Sequence, residues 1–324
     1  MSADPTRLGE VAASAPGDGR VGHPPEVRSY YARPVIKEPA WTWEVPWYLF
    51  AGGLAGCSSV LSLAARLAGH DVLADRARSI AAGAVVVCPP LLISDLGRPA
   101  RFYNMLRVFK PTSVMSVGSW LLAAYSTAAA GAVGLSWWGR LPRLRAAADT
   151  AAGGLGAVMA TYTGGLMADT SIPVWHEARR ELPALFGSGG LASAGSAAVL
   201  LSPRGSAEPA RRLAVTGAGT ELIVDNVMRR RLGMVGKVYE RGEAGRYHRA
   251  AEVATLLGGG AMAAGRHRPW LARLGALSLL AGSLAQRWSV FKAGFQSARD
   301  PQATLAPQRA RLNRGEGHRA PSRS

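Results

Sequence analysis

Four groups of polar residues in this sequence lie inside or at the ends of long apolar blocks, where an ionisable side chain is costly and functional by default. Glu44 opens the first block in WTWEVPWYLF, with the Trp43 indole beside it. A carboxylate among indole rings either meets water at an interface or walls a site for a flat aromatic ligand. Tyr162 stands in ATYTGGL, near the end of the fourth block. If buried, its phenol needs a hydrogen-bond partner, which is either a ligand carbonyl such as a quinone's or a helix carbonyl. The segment LISDLGRPARF, Leu92–Phe102, closes the second block. Gly97 and Pro99 predict a tight exit from a helix there, while Asp95, Arg98 and Arg101 supply charge for a hydrogen-bonded corner or a docking surface. Glu221 and Asp225 are spaced i, i+4 and share one helix face. With Asp169 and Asp149 at the ends of the fourth block, they form either a set of proton carriers or the polar side of a shallow, solvent-facing helix.

Other chemistries find little support. The six histidines, His23, His70, His176, His248, His267 and His318, fall in tails, loops or helix ends, whereas b-type haems need axial ligands on facing helices. The two cysteines, Cys57 and Cys88, are not in a C-x-x-C pattern, so zinc, an iron–sulfur cluster or a disulfide framework is not expected in this chain. No Ser-His-Asp pattern, P-loop or H-E-x-x-H motif is present. Any redox metal is expected on a partner.

The elements that must position these residues are read from the apolar blocks. The chain has 324 residues, 48% of them hydrophobic, and a formal charge of +17. The apolar residues gather into blocks of roughly 16 to 26, the length a helix needs to cross a bilayer core. Eight such spans are expected, near 43–67, 77–96, 113–138, 147–168, 183–201, 212–227, 250–265 and 270–291. The sixth is the weakest, because Glu221 and Asp225 interrupt it. Trp41, Trp43, Trp47 and Tyr48 predict an interfacial aromatic belt at the entry to the first span. The steps Gly52-Gly53 with Gly56, Gly153-Gly154-x-Gly156 and Gly258-Gly259-Gly260 predict close helix approach. They do not read as a dinucleotide fingerprint, since no β-rich run precedes them and no acidic ribose partner follows.

The predicted fold class is therefore all-α: a polytopic membrane protein with about eight transmembrane helices in two four-helix bundles. Residues 1–40 read as a flexible arm, 41–298 as the membrane domain and 299–324 as a disordered basic tail, with no apolar core near Met1 to suggest a cleaved signal. The basic residues flank the spans, which fits anionic lipid headgroups better than nucleic acid. With an even span count both ends share a face, and most of the 38 Lys and Arg lie on it. That places the arm and tail in the cytoplasm, with the chain in the inner membrane.

Several runs together carry a resemblance. WTWEVPWYLFAGGLAG, LLISDLGRPARFYNMLRVFKPTSVMSVGSW, TYTGGLMADTSIPVWHEARRELPALFGSG and RWSVFKAGFQSARDP resemble the NrfD-like family of polysulfide reductase membrane subunits, over most of the chain from Trp41 to Pro301. The resemblance implies two four-helix bundles without haem that bind menaquinone or another quinone beside a docked iron–sulfur subunit with several clusters. It matches Glu44 and Tyr162 to the positions that approach the quinone head; with Trp43 and Asp95 these are the expected quinone site, with Arg98, Arg101 and Phe102 the expected docking surface and Asp169, Glu221 and Asp225 the expected proton carriers. A molybdopterin catalytic subunit, formate dehydrogenase-like, is the expected further partner, so the chain would be one subunit of an oxidoreductase and not a complete catalyst. The alternatives are a secondary transporter that uses its intramembrane carboxylates, and a purely structural anchor.

Overall fold

The structure, a computed structural model, describes residues 36–98 and 100–300. Most of the expected arm and tail, the turn assigned to Pro99, and His23 and His318 lie outside those residues. The described chain is helical, with α1 (Glu44–Leu67), α2 (Asp71–Asp95), α3 (Arg101–Arg107), α4 (Val114–Trp138), α5 (Pro142–Ala168), α6 (Pro173–Glu177), α7 (Leu182–Leu201), α8 (Glu208–Leu232), α9 (Gly242–Ala264) and α10 (Pro269–Arg299). No strand occurs among the described residues.

Helix ends follow local chemistry. Proline stands in the first turn of α5, α6, α7, α8 and α10, where its missing N–H is no loss. The Ser113 side chain accepts the Ser116 N–H and caps α4. Gly97 follows α2 with φ of 68° and Gly139 ends α4 with φ of 71°, the left-handed conformation that stops a helix most cheaply at glycine. The tight exit expected at Gly97 is thus present.

Eight of these helices are long, and six of them, all but α1 and α4, overrun their apolar blocks at one or both ends. α8 starts at Glu208 and continues to Leu232, and α10 runs on to Arg299. Polar turns continue a helix into the interface for as long as no breaker intervenes. The weakest expected span, α8, is an unbroken helix whose acids are matched by Arg287 and Gln286 of α10 and by Arg229 of α8 itself, as described below.

Packing sorts the long helices into two rings of four. In the first, α1 packs on α2 and α5, and α4 closes the ring against both; in the second, α7, α8, α9 and α10 each pack on the next, with α10 returning to α7. The rings meet along α1, α5, α7 and α10. Glycines set the spacing at these contacts. A Cβ at Gly56 or Gly156 would strike the other helix's backbone, and one at Gly258 would come within 2.9 Å of the Gly275 carbonyl. Gly154 and Gly260 face open space, so only part of each glycine cluster serves packing.

Three helices, Glu44–Leu67, Asp71–Asp95 and Leu182–Leu201, are long and apolar enough to cross a membrane on composition alone. α4 contains no charged residue, but its Ser, Gly, Trp and Tyr dilute its hydropathy. Because short connections alternate the helix directions, one face gathers the starts of α1, α4, α7 and α9. The opposite face gathers the starts of α2, α5, α8 and α10.

Candidate functional site

On the first face, the start of α1 meets the end of α2. Thr42 joins them: its N–H donates to Asp95 Oδ1 at 3.0 Å, and its hydroxyl lies 2.9 Å from the same oxygen and in contact with the Glu44 carboxylate. A single hydroxyl proton serves one carboxylate at a time, so oxygens of the half-buried Glu44 and Asp95 keep lone pairs for another donor.

One turn into α1, on the Glu44 face, is Tyr48. It is 3% exposed and its phenol makes no hydrogen bond among the described residues. It lies near Tyr162 and Cys88. Tyr162 reaches from α5 to the first turn of α4, donating to the Val114 carbonyl and lying over Gly118, where any Cβ would collide with the ring. In this structure the partner of its phenol is therefore a helix carbonyl. Asp169, exposed at the end of α5, lies near Tyr162.

The aromatic belt is smaller than its sequence suggests. Trp43 and Trp47 are exposed, at 58% and 41%, as a belt requires. Tyr48 is instead buried, and Trp41 stacks on the buried Trp175 of α6 with ring centroids 5.5 Å apart. The Trp175 indole in turn donates to the Val290 carbonyl at 2.7 Å. These two rings are committed to holding α6 under α10. Arg98 and Arg101 are exposed, with no side-chain partner among the described residues, and Phe102 is half-buried against Tyr103.

A second polar centre lies inside the α7–α10 ring. Arg287, 1% exposed, donates to Glu221 at 3.2 Å, to the Phe186 carbonyl at 2.8 Å and to Ser283 Oγ at 2.9 Å, and covers the Phe186 ring at 4.9 Å. Gly189 leaves room for this pair, since a Cβ there would overlap both side chains. Asp225, one turn along α8, accepts from Arg229 at 3.0 Å and from Gln286 at 3.1 Å. The expected acidic face of α8 is thus real but buried, which excludes a shallow, solvent-facing helix. Asp169 is exposed at the end of α5 while Glu221 and Asp225 are buried within α8, so the three proton-transfer candidates occupy two different settings.

His248 corrects an expectation. It stands in the second turn of α9, 4% exposed, with Nε2 3.7 Å from both Asp225 and Glu252 and neither ring nitrogen hydrogen-bonded. The phenol of Tyr239, beside it at a centroid distance of 6.0 Å, is also unpaired. At the far end of the first ring, Asp149 is buried between Arg66 and Arg78, with Arg78 Nε 2.8 Å away. That corner fastens α1, α2 and α5. Among the described residues, no three His, Cys, Asp or Glu side chains gather as a metal site would require.

Sequence reading missed Thr42, Tyr48 and Arg287. Tyr48 had a signal, since it follows Glu44 by four residues on one helix. Arg287 had none, because its partner Glu221 is 66 positions away.

A helical protein with long apolar helices and glycine-spaced packing is an integral membrane protein in class, and the sequence family agrees. The family described as polysulphide reductase, NrfD matches residues 35–212, more than half the chain. This chain belongs to the NrfD family, whose members are membrane subunits of quinone-linked oxidoreductase complexes and typically pair with an iron–sulfur subunit. No curated protein matches the chain. The matched span covers the first ring, α7 and the start of α8; Glu221, Asp225 and Arg287 lie beyond it.

Proposed function

We propose that this chain is the quinone-binding anchor of a multi-subunit oxidoreductase in the inner membrane, with all eight long helices crossing the bilayer. The observation that supports this most directly is the mouth between α1, α2 and α5. It combines spare carboxylate lone pairs on Glu44 and Asp95 with the buried, unpartnered phenol of Tyr48. A quinone headgroup fits those groups, because its carbonyls accept from a phenol and its reduced hydroxyls donate to a carboxylate. When bound, the quinone supplies two-electron chemistry coupled to two protons. Tyr48 orients a carbonyl, Tyr162, its own proton given to the Val114 carbonyl, walls the site, Trp43 covers the ring, and Glu44 and Asp95 hold or release protons. Exposed Asp169, near Tyr162, connects the mouth with water.

Electrons reach this mouth from an iron–sulfur subunit of several clusters docked over Arg98, Arg101 and Phe102. Behind it stands a molybdopterin catalytic subunit of formate dehydrogenase type. Menaquinone is the quinone we assign, the two chain ends are cytoplasmic, and Glu221 and Asp225 carry protons within the second ring. The test is purification in mild detergent, followed by mass spectrometry of extracted quinone and of co-purifying subunits. Menaquinone together with an iron–sulfur protein is the expected result. An intact sample with neither would overturn the proposal and favour a transporter that uses the Glu221 and Asp225 carboxylates.

A further inference from the structure

On the face opposite the mouth, the ends of α7 and α9 and the starts of α8 and α10 enclose a cavity of about 100 Å³ lined by Ser202, Arg204, Glu208, Arg211, Arg266 and Arg273. Four guanidinium groups share it with one carboxylate. Glu208 is already used: Arg211 grips it through two hydrogen bonds of 2.8 and 2.9 Å, and Arg212 adds a third at 2.9 Å. Arg211, with Arg212, holds the Glu208 carboxyl down at about 2, so this residue, which precedes the apolar part of α8, stays charged. Arg211 also donates to the Met262 carbonyl at 3.0 Å, closing the end of α9. Its role here is structural.

Arg204, Arg266 and Arg273 are different. Among the described residues they make no hydrogen bond or ion pair, so three arginines line one small cavity whose single carboxylate, Glu208, is held by Arg211 and Arg212. The starts of α8 and α10 line the same space through Ala207 and Pro269, and helix N-termini add positive potential. The Ser202 hydroxyl, in a residue 9% exposed, is buried there with no hydrogen-bond partner. A buried hydroxyl without a partner costs stability, and an anion accepting from it removes that cost. The volume is that of about three water molecules, far below an organic ligand pocket, and suits one tetrahedral oxyanion.

Apolar surface adjoins the cavity. Leu201 on α7 and Trp270, Leu274 and Leu277 on α10 are each more than half exposed within a few residues of the lining arginines. An indole next to cationic residues marks the headgroup level of a bilayer, and the leucines beyond it face acyl chains.

We propose that this cavity binds a phosphate group, presented by the headgroup of an anionic phospholipid, with Arg204, Arg266 and Arg273 as its cationic ligands and Ser202 as a neutral donor. The site is independent of the quinone mouth, which lies on the other face. It would make the second ring sensitive to the lipid composition of its leaflet.

The test uses the full chain, delipidated in detergent and examined by native mass spectrometry in three arms: phosphatidylglycerol, phosphatidylcholine and inorganic phosphate. The expected result is one retained phosphatidylglycerol per chain, no comparable phosphatidylcholine adduct, and affinity roughly 100-fold weaker in R204Q/R266Q/R273Q, at about fivefold for each arginine near a charged surface. Ser202→Ala should weaken binding by a smaller factor. Because the three arginines are exposed and unpaired, the triple variant should keep its thermal unfolding midpoint, which verifies that it folds. Retention of inorganic phosphate with the same loss in the variant supports the phosphate site and assigns it to a free anion. Equal binding of the two lipids, or an unchanged affinity in the variant, overturns the proposal.

Discussion

Acidic residues occupy both rings of this protein, but their surroundings differ. At the mouth of the first ring, Glu44 and Asp95 share one neutral hydroxyl from Thr42 and keep lone pairs in a half-buried place, one helix turn from an unpartnered phenol. In the second ring, Glu221 and Asp225 are almost wholly buried, and their oxygens are answered by Arg287, Arg229 and Gln286. Under-satisfied acids near water are equipped to receive a ligand. Matched acids in the interior first of all hold helices together, because a buried charge is tolerated only when paired. The difference teaches that acid content alone does not locate the chemistry of a membrane helix; the unspent hydrogen-bonding capacity does.

Five variants press on this contrast, and the largest effect belongs to the interior. Arg287→Leu strands the Glu221 carboxylate in the protein interior and should cost about 3–5 kcal/mol, seen as loss of monodisperse protein in detergent chromatography. Adding Glu221→Gln should recover much of that loss. A single variant as stable as the parent would show that the pair is not a structural clamp.

At the mouth the expected loss is in turnover. Tyr48→Phe should lower quinone-linked activity of the assembled complex by about 100-fold while leaving subunit assembly and unfolding temperature nearly unchanged, since its phenol contributes no internal hydrogen bond. Tyr162→Phe should reduce activity as well, with an added stability cost of about 1 kcal/mol for the bond to Val114. Full activity in both variants would remove the mouth as the quinone site and favour a structural anchor.

Thr42→Val releases Asp95 and Glu44 from their common hydroxyl while retaining the shape of the side chain. An increase in KM for quinone of roughly tenfold, with a smaller change in kcat, is the expected signature of lost positioning. Smallest in stability is the double variant Arg98→Ala with Arg101→Ala. Exposed and unpaired, these residues should leave the unfolding midpoint within about 0.5 kcal/mol of the parent, while co-purification of the iron–sulfur partner falls. Undiminished co-purification would move the docking surface elsewhere on that face.

How much of this was readable in advance depends on the range of each interaction. All eight long helices were visible as apolar blocks, and Gly97 as a helix stop, because hydrophobic runs and turn residues act over a few positions. Glu44 and Tyr162 stood out because a polar group at the edge of an apolar block is costly wherever the helix goes. The same reasoning marked Glu221 and Asp225, yet their burial could not be read, and it led Tyr48 to be placed in the belt with its neighbours. A helix has a buried side only once its neighbours are known.

The amino-acid sequence by itself determined the class of this protein: helical, membrane-integral, and of the NrfD family over residues 35–212. Only the tertiary structure decided which polar groups are spent and which remain available. Thr42 meets Asp95 across 53 positions and Arg287 meets Glu221 across 66, while Arg204 meets Arg266 and Arg273 from a distant segment of the chain. Such pairings depend on the order in which helices close a ring, which no local pattern records.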